Sequence, residues 1–144
     1  MAARYFSQGV LTSNTTSGEA AWELIAGAQG LRLFELEVTT NAATASLFGL
    51  ARPAAAGITP TTPVALQAES DAGAAALAKT ALAWATKPTN TSVVYLRRHG
   101  LPAAIGERIV WKFEKGLYVA AAATLVLFNL ASNSALNVTA TISE

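Results

Sequence analysis

Glu35 and Glu37 are the residues of this chain best placed, by type and spacing, to do chemistry. They stand two apart in "LRLFELEVTT" (31–40), a segment that alternates apolar and polar. On a strand, positions i and i+2 share a face and lie about 7 Å apart. Two carboxyl groups at that distance fall within the range used by glycosidases, where one protonates the leaving oxygen and the other attacks or activates water. Such a pair also needs a cleft lined by aromatic rings, and no segment of the chain announces one. The same spacing suits a solvated face on which Arg32 or Lys112 supplies the charge partner, and this is the commoner use of alternating Glu.

A nucleophilic triad would have to recruit His99 and Asp71, the one His and the one Asp of the chain. No Ser sits in a supporting motif. His99 lies between Arg98 and Gly100, where a strand should end, which suits a surface or interface histidine better than a positioned base. One His cannot build a multi-His metal site, and the absence of Cys excludes disulfides and Cys-based zinc. We expect no enzyme: no catalytic, cofactor-binding or metal-binding residue. Trp22 and Trp84 remain open at this level, as core side chains or as rings that stack on a sugar.

Composition narrows the class. Of the 144 residues 52% are hydrophobic and 13% charged, against about 25% charged in an ordinary soluble domain. So little charge implies that Ala, Thr, Ser and Asn cover the surface, or that part of it is buried against other subunits. The net charge is +1, and no basic run exceeds Arg97-Arg98, a poor footprint for nucleic acid. "MAARYFSQGV" lacks the basic, apolar and small-residue order of a signal peptide. The length suits one domain, 1–144.

Residues 116–143 contain no charge, which raises the question of a membrane span. Periodicity answers against it. "TLVLFNL" (124–130) is a compact apolar run of the kind buried on both faces of a sheet, "SNS" (132–134) is a turn, and residues 136–142 alternate strictly.

Further strands are expected from the opening "ARYFSQGVLTS" and over 20–27, 31–40, 44–53, 64–70, 79–86, 92–100 and 107–116. Residues 71–86 are rich in Ala, so a short helix near 72–80 competes with strand there. About eight to ten short strands with turns between them read as an all-β antiparallel sandwich, a jelly roll of two Greek keys before an immunoglobulin-like one. Phase assigns Phe34, Leu36, Val38, Ile109, Trp111 and Phe113 to the core. Candidate contact residues are Tyr5 and Phe6 near the terminus, Arg97 and Arg98, and Leu125 and Leu127 if these face away from the sandwich interior.

Three stretches in order carry a resemblance: "LFGLARPAAAGITPTTPVALQAES", "ALAWATKPT" and "LRRHGLPAAIGERIVWKFEKGLYVAAAATLVLFNLASNSALNVT". A strand with Gly-x-x-x-Pro leads to a Thr-rich loop. A Trp-x-x-x-Pro strand end follows, here Trp84 and Pro88, then an Arg and Leu-Pro segment, an aromatic strand and a closing pair. Over the last two-thirds of the chain this resembles a group of small virion proteins of tailed bacteriophages. Where that group has a Pro-Ala-Gly turn before the penultimate strand, this chain has Ala121-Ala122-Ala123. The resemblance implies a jelly-roll-like capsid decoration or cement protein, or a head or tail fitting. It implies a homotrimer that contacts the major capsid protein, is made in the bacterial host cytoplasm and resides on the virion, with neither nucleic acid nor membrane as partner. It carries over no active-site residue. The other function weighed is a carbohydrate- or receptor-binding module on the tail or capsid surface.

Overall fold

Segments with a period of two become antiparallel strands in the computed structural model, which describes residues 4–70, 74–90 and 94–144. The strands are β1 (Tyr5–Leu11), β2 (Ala20–Ile25), β3 (Leu31–Thr40), β4 (Ser46–Ala51), β5 (Ile58–Pro60), β6 (Pro63–Ala65) and β7 (Gln67–Ala68). They continue with β8 (Lys79–Ala81), β9 (Trp84–Thr86), β10 (Arg97–Leu101), β11 (Arg108–Val119), β12 (Thr124–Asn129) and β13 (Leu136–Ser143). No helix occurs among the described residues, so none is long and apolar enough to cross a membrane.

Two sheets pack face to face. The first has the order β11-β3-β13-β1-β7 and the second β10-β4-β12-β2-β8-β6. All pairings are antiparallel. Along the chain the long strands alternate between sheets, except that β4 and β10 pair within one. That order is compatible with a jelly roll. Strands β5 and β9 form a separate two-stranded flap.

The interior between the sheets is filled by Phe6, Trp22, Leu33, Leu36, Phe48, Leu125, Leu127 and Ile142, among others. A second cluster lies on the far side of the second sheet, where Ala20, Ala51, Ala81, Val126 and Phe128 pack with Trp84 of the flap. Strand β12 is therefore covered on both faces. This is why its sequence is continuously apolar, and full burial of a side chain such as Phe128 contributes roughly 1.5–3 kcal/mol.

Two β-bulges change the phase expected of the core. Against β13, β3 slips one residue: Leu33 pairs with Ile142 and Glu35 with Thr141, leaving Phe34 as the extra residue. Leu33, Leu36 and Val38 therefore face inward, while Phe34 is half-buried on the outer face, 6.0 Å from the Tyr5 ring. At the same level β11 jumps from Lys112 to Leu117, so residues 113–116 arch away from β3. Phe113 and Ile109 are half-buried but still pack against the core, and Trp111 lies within it, edge-on to Phe48 at 5.7 Å. The arch closes at Gly116, whose φ of 71° belongs to the left-handed region.

The helix expected near 72–80 does not form over 74–80, and residues 72 and 73 lie outside the described residues. Tertiary bonding overrides the propensity of Ala. The backbone N–H groups of Leu77 and Ala78 donate to the Glu144 carboxylate, and Lys79–Ala81 pair with both β2 and β6. The strand expected over 79–86 splits: β8 joins the second sheet and β9 the flap. The strand expected over 64–70 splits likewise, with β6 in the second sheet, β7 in the first and buried Leu66 at the crossing. In the turn before β12, Ala122 adopts a φ of 59°, a conformation that Gly adopts without penalty and Ala does not.

Candidate interaction surfaces

The carboxylate pair lies on the outer face of the first sheet. Glu37 accepts a hydrogen bond from the Thr39 hydroxyl at 3.3 Å and lies 3.9 Å from the Arg108 guanidinium. Glu35 sits between Lys112 of β11 and Thr141 of β13 in the ladder. Both carboxylates are half-buried on a sheet face, among threonines and opposite basic residues. This is a charge-compensated surface. His99 is half-buried on β10, opposite Phe48. Asp71 lies outside the described residues. No group of three or more His, Cys, Asp and Glu that could hold a metal occurs among the described residues.

Neither tryptophan left open by the sequence offers a ring face to a sugar. Trp22 is wholly buried between the sheets. Trp84 is 8% exposed and covers the second sheet from outside. Its indole N–H donates to Glu23 at 2.8 Å, and the other Glu23 oxygen accepts the Gly57 N–H at 3.1 Å. Glu23 is fully buried, so these two bonds compensate a carboxyl group that would otherwise be costly to desolvate. They tie both strands of the flap region to β2. A Cβ at position 57 would meet Trp84 at 2.2 Å, so only glycine fits. At the rim, Lys87 donates to Glu19 at 2.7 Å and Asn14 donates to the same oxygen at 3.0 Å. Together they hold the Glu19 carboxyl below its ordinary pKa. The sequence carried one signal of this clasp: Glu23 is the single charge in the apolar run "AAWELIAG".

Among the described residues, the outer face of the first sheet has no such cover. Its β1–β13 portion carries Tyr5, Ser7, Gly9 and Leu11 beside Asn137, Thr139 and Thr141, with Ser7 opposite Thr141 and Gly9 opposite Thr139. Neither strand contains a charged residue. Tyr5 and Leu11 are 48% and 47% exposed at the two ends of this strip.

The candidate contact residues are thus distributed unevenly. Tyr5 lies on the open strip, and Arg97 and Arg98 are exposed on β10. Phe6 points the opposite way from Tyr5, into the core, because successive side chains on a strand alternate faces. Leu125 and Leu127 are fully buried between the sheets of the same chain. These three residues are therefore not available to a partner. For the two leucines the reason is the central place of β12, with β2 and β4 on either side.

No family model, curated protein or solved structure matches the chain. Surface chemistry is what remains, and its charge is polarised. The ion pairs among the described residues are Arg4–Glu144, Lys87–Glu19 and Arg108–Glu37. Of the basic residues outside these pairs, Lys79 lies on β8. The others are Arg32, Arg52, Arg97, Arg98, Lys112 and Lys115, all on or next to β3, β4, β10 and β11. The sequence showed only the Arg97-Arg98 dipeptide. Sheet order gathers the rest beside it.

Proposed function

We propose that this chain is a structural protein of a tailed-bacteriophage virion, most specifically a capsid decoration or cement protein. In this reading it self-associates as a trimer on the capsid surface and bridges copies of the major capsid protein. The observation that carries the reading is the uncharged, uncovered β1–β13 strip. A sheet face of small residues, with Tyr5 and Leu11 exposed at its ends, can lie flat against another protein with little charge to desolvate. The three stretches that resemble phage virion proteins add support. They run over β4 to β7, over β9, and from β10 into the first half of β13, so what they share is framework rather than a reactive site.

The test is the mass of the purified chain by light scattering, together with co-sedimentation on shells of a tailed-bacteriophage major capsid protein. The expected result is a trimer that pellets with the shells at saturable stoichiometry. A monomer that stays in the supernatant overturns the proposal.

A further inference from the structure

We propose that the outer edge of β10 is a docking strand for an extended, acidic segment of another protein. Strand β10 ends its sheet. It pairs with β4 on one side, and among the described residues no strand lies on the other. An antiparallel edge strand directs alternate N–H and C=O groups outward, where an added strand can take them. The remaining edges of the two packed sheets are blunted: β6 begins with Pro63, β7 has two residues, and β11 is interrupted by the arch at 113–116. Strand β10 has neither proline nor bulge.

Charge selects the occupant. Arg97 and Arg98 are exposed and lie outside the ion pairs among the described residues, with the Arg97 guanidinium 4.8 Å above the Phe113 ring. Arg52, next to β4, and Lys115, in the arch of β11, add positive charge nearby. Glu107 and Glu114 are the exposed carboxylates of that edge and do not balance it. A second copy pairing edge to edge would bring the arginines of both copies together, which disfavours self-association here. A strand bearing carboxylates meets complementary charge instead. At the head of β10, Ala51, Arg52, Val94, Tyr95 and Leu96 line a shallow hollow. Val94 and Leu96 are 79% and 37% exposed there, so the hollow suits one apolar anchor on the incoming segment. The ladder to β4 already extends past β10, because the Leu96 N–H donates to the Leu50 carbonyl at 2.8 Å.

The inference does not depend on the virion reading. A chain that binds acidic strands but neither trimerises nor pellets with capsids would keep this inference and lose that reading. The test is fluorescence polarisation of the intact chain with a labelled decapeptide of alternating Glu and Val. Three comparison probes are used: its Lys–Val counterpart, the Glu–Val peptide N-methylated at alternate residues, and a dT oligonucleotide. The expected result is binding of the Glu–Val peptide alone. Arg97→Glu with Arg98→Glu should weaken it about tenfold or more, while Lys79→Glu should leave it unchanged. Arg98→Glu alone keeps Arg97 on Phe113, so a folding defect in the double variant still leaves a decisive comparison. Equal binding of the N-methylated peptide or the oligonucleotide overturns the inference in favour of a general polyanion patch. It is also overturned if no Glu–Val binding is seen by about 1 mM, or if both charge-reversed variants bind like wild type.

Discussion

The two outer faces of the sandwich present opposite solutions to one problem. The face over β12 and β2 is apolar, and the chain covers it with its own flap, pinned by Trp84, Glu23 and Gly57. The face over β1 and β13 is polar but uncharged, and none of the described strands covers it. Strand β12 shows the first pattern, apolar at every position from Leu125 to Phe128, while β13 shows the second, apolar at every other one. A low overall charge is thus reached in two ways. One face needs none because it is interior, and on the other the β1–β13 strip carries none although it is exposed, the charges of that face lying on β3 and β11.

The largest test of the covered face is Trp84→Ala. It removes the ring that packs on Val126 and Phe128 and leaves Glu23 without its indole donor, so a loss of about 3–5 kcal/mol is expected in urea unfolding. A loss below about 1 kcal/mol would mean that the flap is not part of the cooperative unit. Gly57→Ala comes next. Its Cβ would collide with the Trp84 ring, and overpacking of this kind costs about 1–3 kcal/mol. Wild-type stability in that variant would show that the flap shifts freely.

The rim gives a smaller, pH-dependent effect. The folded-state pKa of Glu19 is lowered, chiefly by its hydrogen bond to Lys87. Its contribution is therefore fully present above the unfolded carboxyl pKa and is lost as pH falls through the folded one. Lys87→Met should destabilise slightly near neutral pH, and the gap from wild type should close on acidification. The pair is partly exposed, so the effect stays below about 1 kcal/mol. A gap that widened in acid would contradict the assignment. On the open face, Thr139→Arg should change the stability of the chain by no more than about 0.5 kcal/mol, because Thr139 is exposed. The same substitution should lower the oligomer mass by light scattering. An unchanged oligomer would move the self-contact away from this strip.

The strand content was legible because period two survives in the second half of β3, the first half of β11 and all of β13. The burial of β12 on both faces was legible in its unbroken apolar run. Phe34 was misread because one bulge residue reverses the phase of everything before it, and a bulge leaves no trace in the composition of its strand. Residues 74–78 were ambiguous because the local propensity of Ala says nothing about the Glu144 carboxylate, more than sixty positions away, that takes the Leu77 and Ala78 N–H groups.

By itself, then, the sequence determined that the chain is built of antiparallel strands and that it has little charge to display. Alternation and composition are local properties, and they act before any long-range contact forms. Only the tertiary structure decided which side of β12 faces the other sheet, what covers its far side, and where the basic residues collect. Strands from distant parts of the chain meet in an order set by their pairing, so Arg97 of β10 comes to lie over Phe113 of β11 only after the sheets have formed.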